Sequence, residues 1–234
     1  MVSRVITHSK NLYCALKWLF FNYNYLRKEL ESYGYYSIQV YKILFWKSNA
    51  KYFKVFDVSG GCFFVKLQSE NKVCHEYQVI RYIEDRNLTK MDFYPKIVHS
   101  SIGKFSYNIF EELDGVRISR KSILDNNLIG SMVDIIIFFN KIQIVHRDIR
   151  PHNIIIVDNR IKVIDFEHCS INNSKMEDSP LGLNKDFSPK GAKWDDAYSF
   201  KKVVDYYVDK DKLRDSSDYQ KLLNMVDVNI YEYN

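Results

Sequence analysis

The sequence predicts an α+β protein, a small five-stranded antiparallel lobe with one helix followed by a mostly helical, reduced second lobe. Three observations predict it. Residues 37–113 alternate short apolar runs with turn residues, a single helical stripe interrupts those runs, and after Gly115 the apolar period becomes that of helices. A chain of 234 residues is long enough for one large domain or two small lobes. With 46% apolar and 27% charged residues it has globular composition, which excludes a disordered or fibrous protein.

Residues 1–36 form an N-terminal helical extension. Its apolar segment, Leu12 to Leu26 (LYCALKWLFFNYNYL), is too short to span a bilayer, carries Lys17, and offers no small-residue cleavage site. Two readings stand: a helix packed on its own domain, or one docked peripherally at a membrane through residues 12–26. The expected location is cytoplasmic, at the inner face of the membrane on the second reading. The first lobe, 37–113, holds strands at Ile38–Trp46, Tyr52–Val58 and Cys62–Leu67, the last two joined at Gly60-Gly61. A helix follows over Glu70–Arg86, with Val73, Tyr77, Ile80 and Ile83 at helical spacing. Strands at Ile97–Ser101 and Phe105–Glu111 join across Gly103.

The second lobe, 114–234, opens with a helical stripe of Leu124, Leu128, Met132, Ile135, Ile136 and Phe139, capped by Ser122 or Asp125. A hairpin at Ile154–Val157 and Ile161–Ile164 turns at Asp158-Asn159, where Asn tolerates left-handed backbone. A polar stretch then runs to about Lys193, followed by helices at Asp195–Val208 and Ser217–Val226.

The net charge of +5 suits an anionic ligand such as a nucleotide, or an anionic membrane surface. No dense Lys/Arg stripe calls for nucleic acid. Cys14, Cys62, Cys74 and Cys169 form no C-x-x-C pair, so neither zinc nor a disulfide framework is implied.

The segment that carries chemistry is Ile144–Ser170, IVHRDIRPHNIIIVDNRIKVIDFEHCS. Asn153 follows Asp148 by five residues, and Asp165 follows Asn153 by twelve. A strand of five residues rises ~17 Å and a tight hairpin returns the chain by as much, so Asp165 comes back beside Asn153 and Asp148. Three oxygen-bearing side chains at one end of a hairpin suit Mg²⁺, which takes one or two carboxylates plus phosphate oxygens.

The run His146-Arg147-Asp148-Ile149-Arg150-Pro151-His152-Asn153, with Asp165-Phe166 downstream, resembles the protein-kinase-like phosphotransferase superfamily. The resemblance covers about residues 37–208. It implies a two-lobed kinase-like fold, with ATP and Mg²⁺ as cofactors and a hydroxyl as acceptor. Asp148 is then the catalytic base, Arg150 neutralises charge on the γ-phosphate, and Asn153 and Asp165 hold the metal. Lys66, ending the third strand, anchors the nucleotide and pairs with Glu76 on the following helix. The backbone near Glu111 and Leu113 forms the adenine-binding hinge. Asp196 resembles the buried aspartate that braces the catalytic loop, with a helix N-cap as its competing role.

The sequence departs from that pattern in places. The first turn, Trp46 to Lys51, contains no glycine, so Ser48, Asn49 or Lys51 takes the place of the phosphate-cradling glycine loop. Glu167 rather than glycine follows Asp165-Phe166, and no A-P-E motif precedes Trp194. Ile-Asp-Phe-Glu is similar to choline, aminoglycoside and bacterial lipopolysaccharide-sugar kinases. The His-Arg-Asp spelling points instead toward protein kinases. The expected function is phosphoryl transfer to a glycan or small molecule, a lipopolysaccharide or capsule sugar foremost. A minimal serine/threonine/tyrosine protein kinase and a non-catalytic pseudokinase binding module are the alternatives.

Overall fold

The computed structural model describes residues 2–47, 49–88, 91–119, 125–172, 187, 195–208, 213 and 215–232. It is an α+β protein built around a five-stranded antiparallel sheet. The chain forms two compact units, Met1–Gln78 with Lys96–Glu112, and Val79–Pro95 with Leu113–Asn234.

In the first unit, α1 (Val2–Ser32) precedes β1 (Tyr35–Val40), β2 (Lys51–Asp57) and β3 (Cys62–Leu67). Helix α2 (Glu70–Arg86), which belongs to this unit as far as Gln78, comes next, then β4 (Ile97–Ser101) and β5 (Tyr107–Glu111). The sheet order is β1-β2-β3-β5-β4. Its core joins Leu26 and Leu30 of α1 to Phe53, Val55, Val65, Tyr107 and Ile109 of the central strands. Those strands alternate apolar residues into that core, which is what fixes their register. The β2–β3 turn is held by Asp57, whose carboxylate accepts from the Ser59 and Gly61 N–H groups at 2.9 and 2.8 Å. Gly60 supplies the left-handed φ of 86° that this turn requires.

The first strand differs from the expectation of Ile38–Trp46. It begins at Tyr35 and ends at Val40, and Ile43–Phe45 is a 3₁₀ turn entered through left-handed Lys42. Trp46 is the physical reason. It is buried against Trp18 and Phe53, and its indole N–H donates to the Tyr41 carbonyl at 2.9 Å. Anchoring that ring draws the chain out of the ladder. Lys47 and Ala50 then exchange backbone hydrogen bonds across the glycine-free turn.

The second unit contains β6 (Val116–Arg117), α3 (Asn126–Lys141), β7 (Ile144–Val145), β8 (Ile154–Val157), β9 (Arg160–Val163) and β10 (Ser170–Ile171), then α4 (Asp196–Tyr207) and α5 (Ser217–Glu232). Asp125 caps α3 by accepting from the Leu128 N–H at 3.0 Å. Ser122, the other expected cap, lies outside the described residues. Strands β8 and β9 form the expected hairpin, and Asp158 and Asn159 both have positive φ, 47° and 57°, as a tight two-residue turn demands. The sequence did not announce β6 beside β8, nor the β7–β10 pair. Phe93 lies against Phe138 and Phe139 of α3, and its carbonyl accepts from the Val163 N–H at 2.7 Å.

Candidate functional site

Chemistry-bearing side chains gather in two places, one in each unit. In the first unit, Lys66 on β3 meets Glu76 on α2, with Nζ 3.0 and 3.1 Å from the two carboxylate oxygens. The side chains are 7% and 2% exposed. Neither charge is stable alone at such depth, so the ion pair is what allows either to be there.

Asn108 holds this arrangement, and sequence reasoning missed it. It is the cross-strand neighbour of Lys66 on β5 and is fully buried. Its amide donates to the Val73 carbonyl of α2 at 3.2 Å and accepts from the Ser100 hydroxyl at 2.7 Å. Val73 lies three residues before Glu76, so the bond fixes the turn of α2 that presents the carboxylate. One signal could have found it: an Asn in the middle of an otherwise apolar strand must satisfy its amide on a neighbouring element.

In the second unit, the segment from His146 to Asn153 is pinned at both ends. His146 is buried between the rings of Phe166 and Phe139, and its Nδ1 faces the Asp148 N–H at 3.3 Å. Asp196, at the start of α4, accepts from the His146 and Arg147 N–H groups at 2.5 and 3.1 Å. Those bonds hold Arg147 in a left-handed conformation, φ 67°, that a non-glycine residue adopts only under constraint. Asp195 caps α4 through the Ala197 N–H at 2.8 Å, so adjacent aspartates divide the bracing and capping roles that Asp196 alone was weighed for. Pro151 opens the 3₁₀ turn Pro151–Asn153, which sets Asn153 facing back toward Asp148.

The result is a polar cluster around one carboxylate. The amide nitrogen of Asn153 donates to the Asp148 carbonyl at 3.0 Å and to its Oδ2 at 2.7 Å. Arg150 approaches the same Oδ2 at 3.0 Å. The Nε of Arg150 is buried with no partner among the described residues, a donor that an anionic ligand would satisfy. Burial pushes the Asp148 carboxyl up to about 6; Asp165 nearby adds to the rise, while Arg150, Asn153 and His168 oppose it. Asp165 leaves β9 in a left-handed conformation, φ 72°, and the Ile164 N–H donates to the Asn153 carbonyl at 3.0 Å. The hairpin thus returns Asp165 to the neighbourhood of Asn153 and Asp148.

Because the Asn153 amide nitrogen is engaged by Asp148, its Oδ1 is the atom left for a cation. An amide oxygen and a carboxylate are hard donors that fit Mg²⁺. Among the described residues no three His, Cys, Asp or Glu side chains form a metal cluster, so phosphate oxygens and water would complete the shell.

Glu111 is exposed, and its N–H already donates to the Lys96 carbonyl at 3.0 Å, which commits that donor to the sheet. Leu113 is half-buried and follows Glu112, which pairs with Lys54. Asn49 is exposed in the turn after β1, and Ser48 lies outside the described residues. No helix among the described residues is long and apolar enough to cross a membrane. No family model matches the chain, and no curated protein matches it.

Proposed function

We propose that the chain is a phosphotransferase of two-lobed, protein-kinase-like architecture that transfers the γ-phosphate of Mg·ATP to a hydroxyl of a glycan or small molecule. The observation that carries the reading is the Asp148 carboxylate. It is buried, raised to about 6, and flanked by Asn153 and Arg150 on one oxygen. That leaves Oδ1 to orient an acceptor hydroxyl and receive its proton, and a carboxyl poised just below neutrality is deprotonated yet basic enough to do so.

In this reading Asn153 Oδ1 and the Asp165 carboxylate would hold Mg²⁺, which would supply charge neutralisation on the phosphates. Arg150 presents its guanidinium to the γ-phosphate. Lys66, oriented by Glu76, anchors the α- and β-phosphates, and the Glu111 carbonyl with the Leu113 backbone receives adenine, the Glu111 N–H being held by the Lys96 carbonyl. Ser48 and Asn49, in the glycine-free segment before β2, meet the phosphates in place of a glycine loop, whereas Lys51 is engaged over the Trp18 ring. Because the transition state is loose, positioning and charge stabilisation are the protein's main contribution.

Glu167 after Asp165-Phe166 favours a glycan or small-molecule acceptor, with a lipopolysaccharide or capsule sugar foremost. The His146-Arg147-Asp148 spelling favours a protein acceptor as the second reading. Transfer of radiolabelled γ-phosphate from Mg·ATP into fractionated cell extract decides between them, with Asp148→Asn and Asp165→Asn as controls. Asp148-dependent label in protease-resistant glycan or lipid supports the first reading, and label in protein bands the second. Label that persists undiminished in both variants would remove the assignment. No label in wild type would leave a nucleotide-binding module without catalysis.

A further inference from the structure

Helix α1 presents two opposite faces, and among the described residues only one of them is packed into the fold. Ala15, Leu26 and Leu30 are buried in the first unit's core, with Trp18 and Leu19 packed against it. At about 3.6 residues per turn, Lys17, Phe21 and Lys28 fall on the opposite side, with Phe20 and Tyr13 flanking them. These side chains are exposed; Phe20 is 82% and Phe21 60% accessible, and their rings meet edge to face. Beside them Lys104, in the β4–β5 loop, sits over the exposed Tyr25 ring at 3.5 Å.

Burying aromatics is the ordinary way to lower free energy, so rings left in water on a helix whose other face is already packed mark a surface with an external partner. The charge says which. Residues 1–28 contain five Lys or Arg and no acidic residue, an excess as large as the +5 of the whole chain. The first acids are Glu29 and Glu31; Arg27 pairs with Glu31, while Glu29 lies against the Ser101 hydroxyl. Lys17, Lys28 and Lys104 therefore form a cationic face interleaved with Phe20, Phe21, Tyr13 and Tyr25. Aromatic rings favour the headgroup region of a bilayer, and lysines favour the anionic phosphates at the same depth. The helix does not meet the requirement for crossing a membrane, so it would lie along the surface.

We infer that the outward face of α1 docks the protein on an anionic lipid surface, with Phe20 and Phe21 entering the headgroup layer and Lys17, Lys28 and Lys104 meeting lipid phosphates. This is independent of phosphotransfer.

The test is co-sedimentation of the full chain with vesicles of neutral phosphatidylcholine and of phosphatidylcholine mixed with phosphatidylserine. Binding is expected on the anionic vesicles, weakened strongly by salt. Each lysine near an anionic surface is worth a factor of about five in partitioning, so Lys17→Ala/Lys28→Ala should lower it about 30-fold. Phe20→Ser/Phe21→Ser should lower it about tenfold or more while leaving salt dependence in place. Both variants change exposed side chains, and an unaltered thermal melt checks that they fold. Equal binding to neutral and anionic vesicles, unchanged binding by the lysine variant, or no binding at low salt overturns the inference. A dimer in free solution abolished by Phe20→Ser/Phe21→Ser also overturns it, because a second copy would then cover the face.

Discussion

Replacing Asp196 by alanine should loosen the segment that carries Asp148 while leaving the Asp148, Arg150 and Asn153 side chains themselves unchanged. Asp196 accepts two backbone bonds, from His146 N at 2.5 Å and Arg147 N at 3.1 Å, in a buried position. A hydrogen bond to a charged group contributes about 1.5–3 kcal/mol, so losing both costs about 3–6 kcal/mol. Part of that returns because burial has already pushed this carboxyl up to about 7, against the backbone bonds that favour its charge. The expected net loss is about 2–4 kcal/mol, a fall of about 5–15 °C in Tm for a chain of this size. Asp196→Asn keeps one acceptor and should lose about half as much.

The pH dependence supplies a second readout for the same residue. A carboxyl whose folded pKa is about 7 binds its proton more tightly in the native state than in the unfolded one, where it titrates near 3.8. Its stabilising contribution is complete below about 4 and is lost as pH rises to about 7. Denaturant melts across that window should show wild-type stability falling, and the fall should be smaller in Asp196→Asn. If Asp196→Ala melts within about 0.5 kcal/mol of wild type, the His146 and Arg147 amides are not held by this side chain and the bracing role is wrong.

Other outcomes follow from the same reasoning. Lys66→Met strips the ammonium from the buried Glu76 and should cost about 3–5 kcal/mol in urea denaturation, with Lys66→Met/Glu76→Leu recovering most of it; a double variant as unstable as the single one would contradict the pairing. Under the proposed function, kcat/KM should fall about tenfold per pH unit below about 6 as Asp148 gains its proton, and a profile flat down to pH 5 would remove it as base. Gly115→Ala would place Cβ 2.5 Å from the Ile156 carbonyl oxygen and 2.6 Å from a Val157 methyl carbon. It should destabilise by about 1–3 kcal/mol, and a neutral thermal melt would show that the β6–β8 contact is easily displaced.

The sheet was legible where residues signal locally. Alternation marked β2, Gly60 marked its turn, and Asp158-Asn159 marked the β8–β9 hairpin because few other residues accept positive φ. The spacing of Asp148, Asn153 and Asp165 likewise announced a shared neighbourhood, since a short hairpin allows little else. What stayed hidden depends on distant partners. The run Ile43 to Trp46 reads as strand until Trp46 finds Trp18, which lies 28 residues earlier in the sequence. Two-residue strands such as β6, β7 and β10 carry no period to read. Asn108 was invisible as a brace because its partners, Val73 and Ser100, are set by the packing of α2 and by the β4–β5 register.

The packing of α1 also sets a timetable for synthesis. Leu26 and Leu30 share their core with Tyr107 and Ile109, which are translated about 80 residues later. At about 5–20 residues per second, the interval lasts on the order of 4–16 s. Throughout it the helix has no completed sheet to cover its inner face, while its outer face is aromatic from the start. The nascent chain thus leaves the ribosome with apolar surface on both sides. A pause in translation before β5 would prolong the period in which chaperones, or premature association between nascent chains, compete with folding.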